Sequence, residues 1–145
     1  MNIYKTHHCG QLSEQENGNE VRLSGWLHRK RDHGNLLFVD LRDHFGITQC
    51  VIENNNSSFS DLEKLKPESV ISVIGKVVKR ESGTENLELK TGKIEINIKT
   101  IKILSEANEL PMPVFGEQDY PEDIRLKYRF LDLRRNKMHK NIILR

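Results

Sequence analysis

Three cations, Arg29, Lys30 and Arg31, stand just ahead of a Gly34-Asn35 turn, and Phe38 follows on the segment beyond it. From Leu37 onward the chain alternates Leu37, Val39 and Leu41 with Phe38, Asp40 and Arg42. Side chains alternate faces along a strand. If Leu and Val line the core, Phe38 stands on the polar face beside the cations. Cations neutralise phosphates and a bare ring stacks on a base, which is the chemistry of a single-stranded nucleic-acid platform.

Such a platform needs a rigid sheet behind it. Val21 to about His28 reads as a first strand, Asn35–Asp43 as a second and Ile47–Ile52 as a third, joined through tight turns. Ser57 or Ser58 is placed to cap a short helix running to Leu65, which Pro67 stops. Val70–Arg80 is a fourth strand, Glu81–Gly92 a polar loop, and Ile94–Leu104 a fifth strand. The alternation Ile94, Ile96, Ile98 slips by one to Ile101 and Ile103, which predicts a β-bulge near Lys99–Thr100. Three meander strands, a helix, then two strands is the order of an OB-fold, a mainly β, five-stranded Greek-key barrel with its helix between strands 3 and 4. The predicted barrel domain spans 1–106.

Residues 107–145 read differently. Pro111, Pro113 and Gly116 mark a linker. Asp119 is a candidate N-cap for a helix over Tyr120–Arg129, and Asn136 for another over Lys137–Arg145. The second helix has an apolar face (Met138, Ile142, Ile143) with nothing after it to pack on. This region is expected to be a short helical hinge leading into a second, absent domain.

The totals bound the function. A chain of 145 residues with 36% hydrophobic and 30% charged residues forms one compact domain with an appendage. No apolar run approaches the ~20 residues that span a bilayer, and the N-terminus lacks the apolar stretch of a signal peptide. Cys9 and Cys50 form no C-x-x-C pair, which argues against a disulfide framework or zinc site and fits a reducing cytoplasm. The net charge of +2 hides an asymmetry: residues 121–145 hold 8 Lys/Arg against 3 Asp/Glu, and the rest of the chain is net acidic. Binding to nucleic acid would therefore run through a local patch. There is no P-loop and no G-x-G-x-x-G.

Two segments carry a resemblance. Gly25–Gln49, GWLHRKRDHGNLLFVDLRDHFGITQ, resembles the N-terminal anticodon-binding domain of bacterial-type aspartyl-tRNA synthetases. Arg125–Arg135, RLKYRFLDLRR, resembles the hinge that follows it. The resemblance implies a class II ligase that uses ATP and Mg²⁺ to attach aspartate to tRNA-Asp, with its catalytic motifs outside this sequence. It implies a homodimeric parent acting in the cytoplasm. This segment is then expected to be monomeric, to bind tRNA rather than DNA or membrane, and to hold no catalytic residue, metal or cofactor of its own.

The family reads an anticodon beginning G-U, and its site residues carry over position by position. Phe38 matches the aromatic on which an anticodon base stacks. Gln49 both donates and accepts, which suits the edge of uracil. Glu95 is out of phase with Ile94 and Ile96, so it faces outward, where a carboxylate suits the two N–H donors of guanine. Arg29 and Arg31 match arginines at the RNA surface, and Lys30 is expected to attract phosphate. Strand parity past His28 does not decide which of the three points at bases. Arg80 and Asn86 match loop positions that touch the anticodon, although Asn86-Leu87-Glu88-Leu89-Lys90 departs from the family's proline-rich loop. His33 occupies a place where members that charge both tRNA-Asp and tRNA-Asn often carry His, which would imply an amidotransferase partner. Arg125 and Arg129 resemble hinge positions near the tRNA backbone, as do Lys127, Arg134 and Arg135; an exposed helix face is the equal alternative. The rival reading is a generic single-strand-binding OB module, which would bind without regard to sequence. A protein-interaction barrel is a second.

Overall fold

The computed structural model describes residues 2–145. Five strands appear, β1 (Glu20–Asp32), β2 (Leu36–Arg42), β3 (Ile47–Glu53), β4 (Val70–Lys79) and β5 (Ile94–Ser105). Helix α1 (Phe59–Lys64) lies between β3 and β4, where the sequence places one between Ser58 and Pro67. The strands close into a barrel in the order β1-β2-β3-β5-β4. β1, β2 and β3 form an antiparallel meander, β3 pairs with β5 in parallel, and β4 pairs antiparallel with both β5 and β1. This is the five-stranded OB architecture.

Period-2 alternation drives closure. Val21, Leu23, Leu27, Leu37, Val39, Leu41, Ile71 and Ile96 are almost fully buried in one core, and Leu62 and Leu65 of the α1 region join it. Three register shifts bend the wall, one of them at Leu104, where the β4–β5 pairing steps from Val70↔Ser105 to Ile71↔Ile103. In β5 the pairing steps from Ile74↔Thr100 to Gly75↔Ile98, so Lys99 is the extra residue, at the predicted place. Gly75 has no alternative there, because a Cβ would collide with the carbonyl of Asn97 and the side chain of Ile96. In β1 the pairing steps from Leu27↔Leu41 to Arg29↔Asp40, so His28 is bulged. This bulge lets β1 run to Asp32, four residues beyond the end that the sequence pattern suggests.

The β1–β2 turn is closed by His33 N–H donating to Leu36 O (2.9 Å) and Gly34 N–H to Asp32 Oδ1 (2.7 Å). Gly34 takes φ +77°, which favours glycine.

Several caps differ from expectation. Ser58 occupies the N-cap of α1 but makes no side-chain bond there. Its own N–H donates to Asn56 Oδ1 (2.9 Å), and Phe59 N–H donates to Asn56 O (3.0 Å). A single 3-10 turn at Glu14–Glu16, closed by a Ser13 capping box, was not legible as periodicity because it buries nothing.

The chain divides into two compact units, the first ending at Asn108 and the second spanning Glu109–Arg145. The second unit holds α2 (Glu122–Lys127), α3 (Arg129–Asp132) and α4 (Asn136–Leu144). The helix expected over Tyr120–Arg129 spans only Glu122–Lys127, because Tyr128 leaves helical geometry at φ −110°, ψ 43°, and α3 follows it. Pro121 and Arg135, not Asp119 and Asn136, sit at the N-caps. Met112, Val114 and Leu131 form its small core, with Tyr120, Ile124 and Tyr128 packed against it.

Candidate nucleic-acid interface

The outer face of β1, β2 and β3 carries the residues of interest. The His28 bulge shifts parity, so Arg29 pairs with Asp40 and Arg31 with Phe38 on the outward side, while Lys30 pairs with core-facing Val39. Arg31, Phe38, Asp40 and Gln49 thus converge from three strands. With Arg29, His33, Arg80, Thr84, Asn86 and Leu89 they line a cleft of about 400 Å³, a size typical of small-ligand pockets.

Phe38, half-buried, is part of the lining of this cleft. His33 meets its ring edge-on at 5.1 Å, and the Arg31 guanidinium lies 5.8 Å from its centroid. Cation and ring are then in mutual reach.

Beside the ring runs a hydrogen-bonded chain. Arg31 Nη2 donates to Asp40 Oδ1 (3.1 Å) and to Gln49 Oε1 (3.0 Å). Gln49 Nε2 donates to Glu95 Oε2 (2.9 Å). Arginine can only donate and a carboxylate can only accept, so these two neighbours fix which end of the Gln49 amide is oxygen. The amide is buried, and each end uses one of its two bonding positions internally. One lone pair on Oε1 and one N–H on Nε2 remain. That pair, acceptor beside donor, is what the uracil edge requires.

Arg80 closes the other side. Its Nε donates to Ile94 O (3.0 Å) and Nη1 to Thr84 O (3.4 Å), which ties the β4–β5 loop to the start of β5, the strand it enters. Nη2 is buried without a hydrogen-bond partner. Burial lowers the pKa of this guanidinium, and Glu95 and Asp40 offset part of the effect. Asn86 holds the loop tip through its N–H to Gly92 O (3.0 Å) and its Oδ1 to Glu88 N–H (3.0 Å).

Lys30 departs from the expectation. It is on the β1 side opposite the cleft, and its Nζ donates to Glu63 O (2.5 Å) at the C-terminal end of α1. Burial lowers its pKa, against the pull of Glu63. The bulge at His28 is the reason: one extra residue turns Lys30 inward and its neighbours outward. Arg125 is likewise engaged within its own unit, with Nε 3.3 Å from both oxygens of Asp132, a carboxylate that is only 1% exposed. Arg135 lies 3.8 Å from the same Asp132, while Arg129 is exposed.

The cleft also contains Asp40, Thr84 and Leu89, which sequence reasoning did not single out. Asp40 shares the parity of Phe38 and could have been found. Thr84 and Leu89 arrive by the path of a loop, which carries no periodic signal.

Further along the same face, Arg42 Nη2 donates to both carboxylate oxygens of Glu68 (2.8 and 3.0 Å) and Nη1 donates to His28 Nδ1 (2.7 Å). Its guanidinium lies 5.7 Å from the Trp26 ring. Glu68 adopts φ +72°, costly for a residue with a side chain, and is held there by this pair and by its N–H to Leu27 O (2.7 Å). Phe45, at the β2–β3 turn, is 49% exposed, with the rings of His8 and His44 at 4.1 and 3.8 Å. Both cysteines are buried free thiols whose pKa values burial raises. Among the described residues no cluster of His, Cys, Asp or Glu could hold a metal ion, and no helix is long and apolar enough to cross a membrane.

Known proteins similar to this chain include tRNA ligases. The aspartate–tRNA(Asp/Asn) ligase of Pelagibacter ubique is 58% identical over all 145 residues, and that of Beijerinckia indica 61%. The chain spans 24% of the length of each. The asparaginyl-tRNA synthetase of Pyrococcus horikoshii, solved with asparaginyl-adenylate, superposes with a TM-score of 0.78 at 27% identity, over 94% of this chain and 30% of that one. Residues 21–104, more than half of the sequence and nearly all of the barrel wall, match one family description. The chain belongs to the OB-fold nucleic acid binding domain family.

Proposed function

We propose that this barrel reads a tRNA anticodon beginning G-U, as the N-terminal part of an aspartate–tRNA ligase. The observation that carries the reading is the convergence of Phe38, Gln49, Arg31 and Arg80 in one cleft, with Glu95 bonded to Gln49. A base enters over Phe38 and stacks. Its edge meets the remaining acceptor and donor of Gln49, which selects uracil. The Glu95 carboxylate accepts from the neighbouring guanine, and its presence on an RNA-facing surface is explained by that need. Arg29 and Arg31 supply attraction to phosphates, and Arg80 and Asn86 shape the loop that closes over the anticodon. His33, edge-on to the Phe38 ring, would meet the third letter.

The longer protein would activate aspartate with ATP and Mg²⁺ in a domain outside this sequence, act as a homodimer in the cytoplasm, and charge tRNA-Asp. The names of its relatives, which include both Asp and Asn tRNAs, support relaxed charging of tRNA-Asn as well. Arg129, exposed on the second unit, is a candidate contact to the tRNA backbone.

Titration of the chain with anticodon stem-loops tests this. A loop reading GUC should bind more tightly than a scrambled loop, and GUC and GUU should bind alike if charging is relaxed. Equal affinity for GUC and scrambled loops at moderate salt would favour the sequence-tolerant single-strand module instead.

A further inference from the structure

We infer that Asp40 is a positioning residue of the interface, holding Arg31 so that Arg31 in turn fixes the Gln49 amide. The inference rests on the reading of Gln49 as the residue that recognises the middle letter. A carboxylate in the middle of a face meant for a polyanion repels its ligand and calls for a reason. The geometry supplies one. Asp40 stands between Arg29 on β1 and Gln49 on β3 in the pairing register. It takes a bond from Arg31 Nη2 at 3.1 Å, the same nitrogen that donates to Gln49 Oε1 at 3.0 Å.

The pair is too exposed to matter much for stability, at 44% for Arg31 and 15% for Asp40. Its effect is orientation. Arg31 is a long, half-exposed side chain, and without Asp40 it would sample solvent. Gln49 would then be tethered at one end only, through Nε2 to Glu95, and its amide plane could pivot about that bond. A pivoting amide no longer presents acceptor and donor at a fixed angle, so discrimination falls even though every direct contact residue is intact.

Orientation and charge predict different outcomes. Asp40→Asn removes the charge and keeps an oxygen that can accept from Arg31. Asp40→Ala removes both. The dissociation constants of the parent chain and both variants are measured with stem-loops carrying U or C at the middle letter. Both variants should bind either loop more tightly than the parent, because a repelling charge is gone. Asp40→Ala should reduce the U-over-C preference about fivefold, the low end of what losing a base contact does, while Asp40→Asn keeps most of it. In an Arg31→Ala background, Asp40→Ala should reduce the preference no further.

Equal loss of preference in both variants would assign the effect to charge and overturn the inference, and so would full retention in Asp40→Ala. A parent chain without any U-over-C preference would overturn the reading of Gln49 itself, and this inference with it. If Asp40→Ala fails to fold, Asp40→Thr, which favours a strand and is too short to reach Arg31, carries the same test.

Discussion

Gln49 and Glu95 lie 46 residues apart in sequence and are joined side chain to side chain, Nε2 to Oε2, at 2.9 Å. The bond crosses from β3 to β5, the parallel pair that closes the barrel. The two residues proposed to read adjacent bases are thus one hydrogen-bonded unit before any RNA arrives. Removing either partner leaves the other's polar group half-buried without its mate.

Gln49→Ala should therefore weaken recognition of the middle letter by ~1–3 kcal/mol, as expected for a lost base contact. Stem-loops carrying each of the four bases at that letter measure it. A variant that ranks the four bases as the parent does would remove Gln49 from the reading.

Phe38→Ala should lower stem-loop affinity by ~1–3 kcal/mol, the value of one base on an aromatic ring. The ring is only half-buried on the outer face, so thermal stability should fall far less than for a core residue. Leu41, fully buried two residues after Val39, is the control: Leu41→Ala should cost ~2–5 kcal/mol of folding free energy. Denaturant titration of both variants separates the two roles.

The Lys30 finding makes a prediction of opposite kind to the sequence expectation. Arg29→Ala should reduce the slope of log affinity against log salt by about one. Lys30→Ala should leave that slope unchanged, because its ammonium is bound to the α1 carbonyl of Glu63 rather than facing the cleft. The loss should appear instead in stability. An equal drop in slope for both variants would return Lys30 to the RNA surface.

Stability should also depend on pH through His28. Its Nδ1 must accept from Arg42, which can only donate, so the neutral ring with its proton on Nε2 is the folded form. Burial, and then the Arg42 charge, hold its pKa below the ordinary 6.5. The unfolded chain thus binds more protons between the depressed value and 6.5, and stability rises with pH through that window. Folding free energy should be greater at about pH 7.5 than at about pH 5, and His28→Asn, which keeps an acceptor and cannot titrate, should flatten the slope. An unchanged slope in that variant would place the titration elsewhere.

The alternation of Leu37, Val39 and Leu41 against Phe38, Asp40 and Arg42 was enough to predict which face of β2 meets solvent, because a strand's period is two and water sorts the two sides. The order of elements named the barrel, and the slip in the isoleucine register located the β5 bulge at Lys99. What one strand's pattern could not decide was how three strands meet. The bulge at His28 leaves no mark on apolar spacing, since the residues after it are all charged; yet it alone turns Arg29 and Arg31 outward and Lys30 inward. The bonds among Asp40, Arg31, Gln49 and Glu95 draw on four strands, and the loop that brings Thr84 and Leu89 to the cleft has no periodicity at all. Local chemistry follows from residue type and parity, whereas coincidence in space follows from register and closure, which exist only once the barrel has formed.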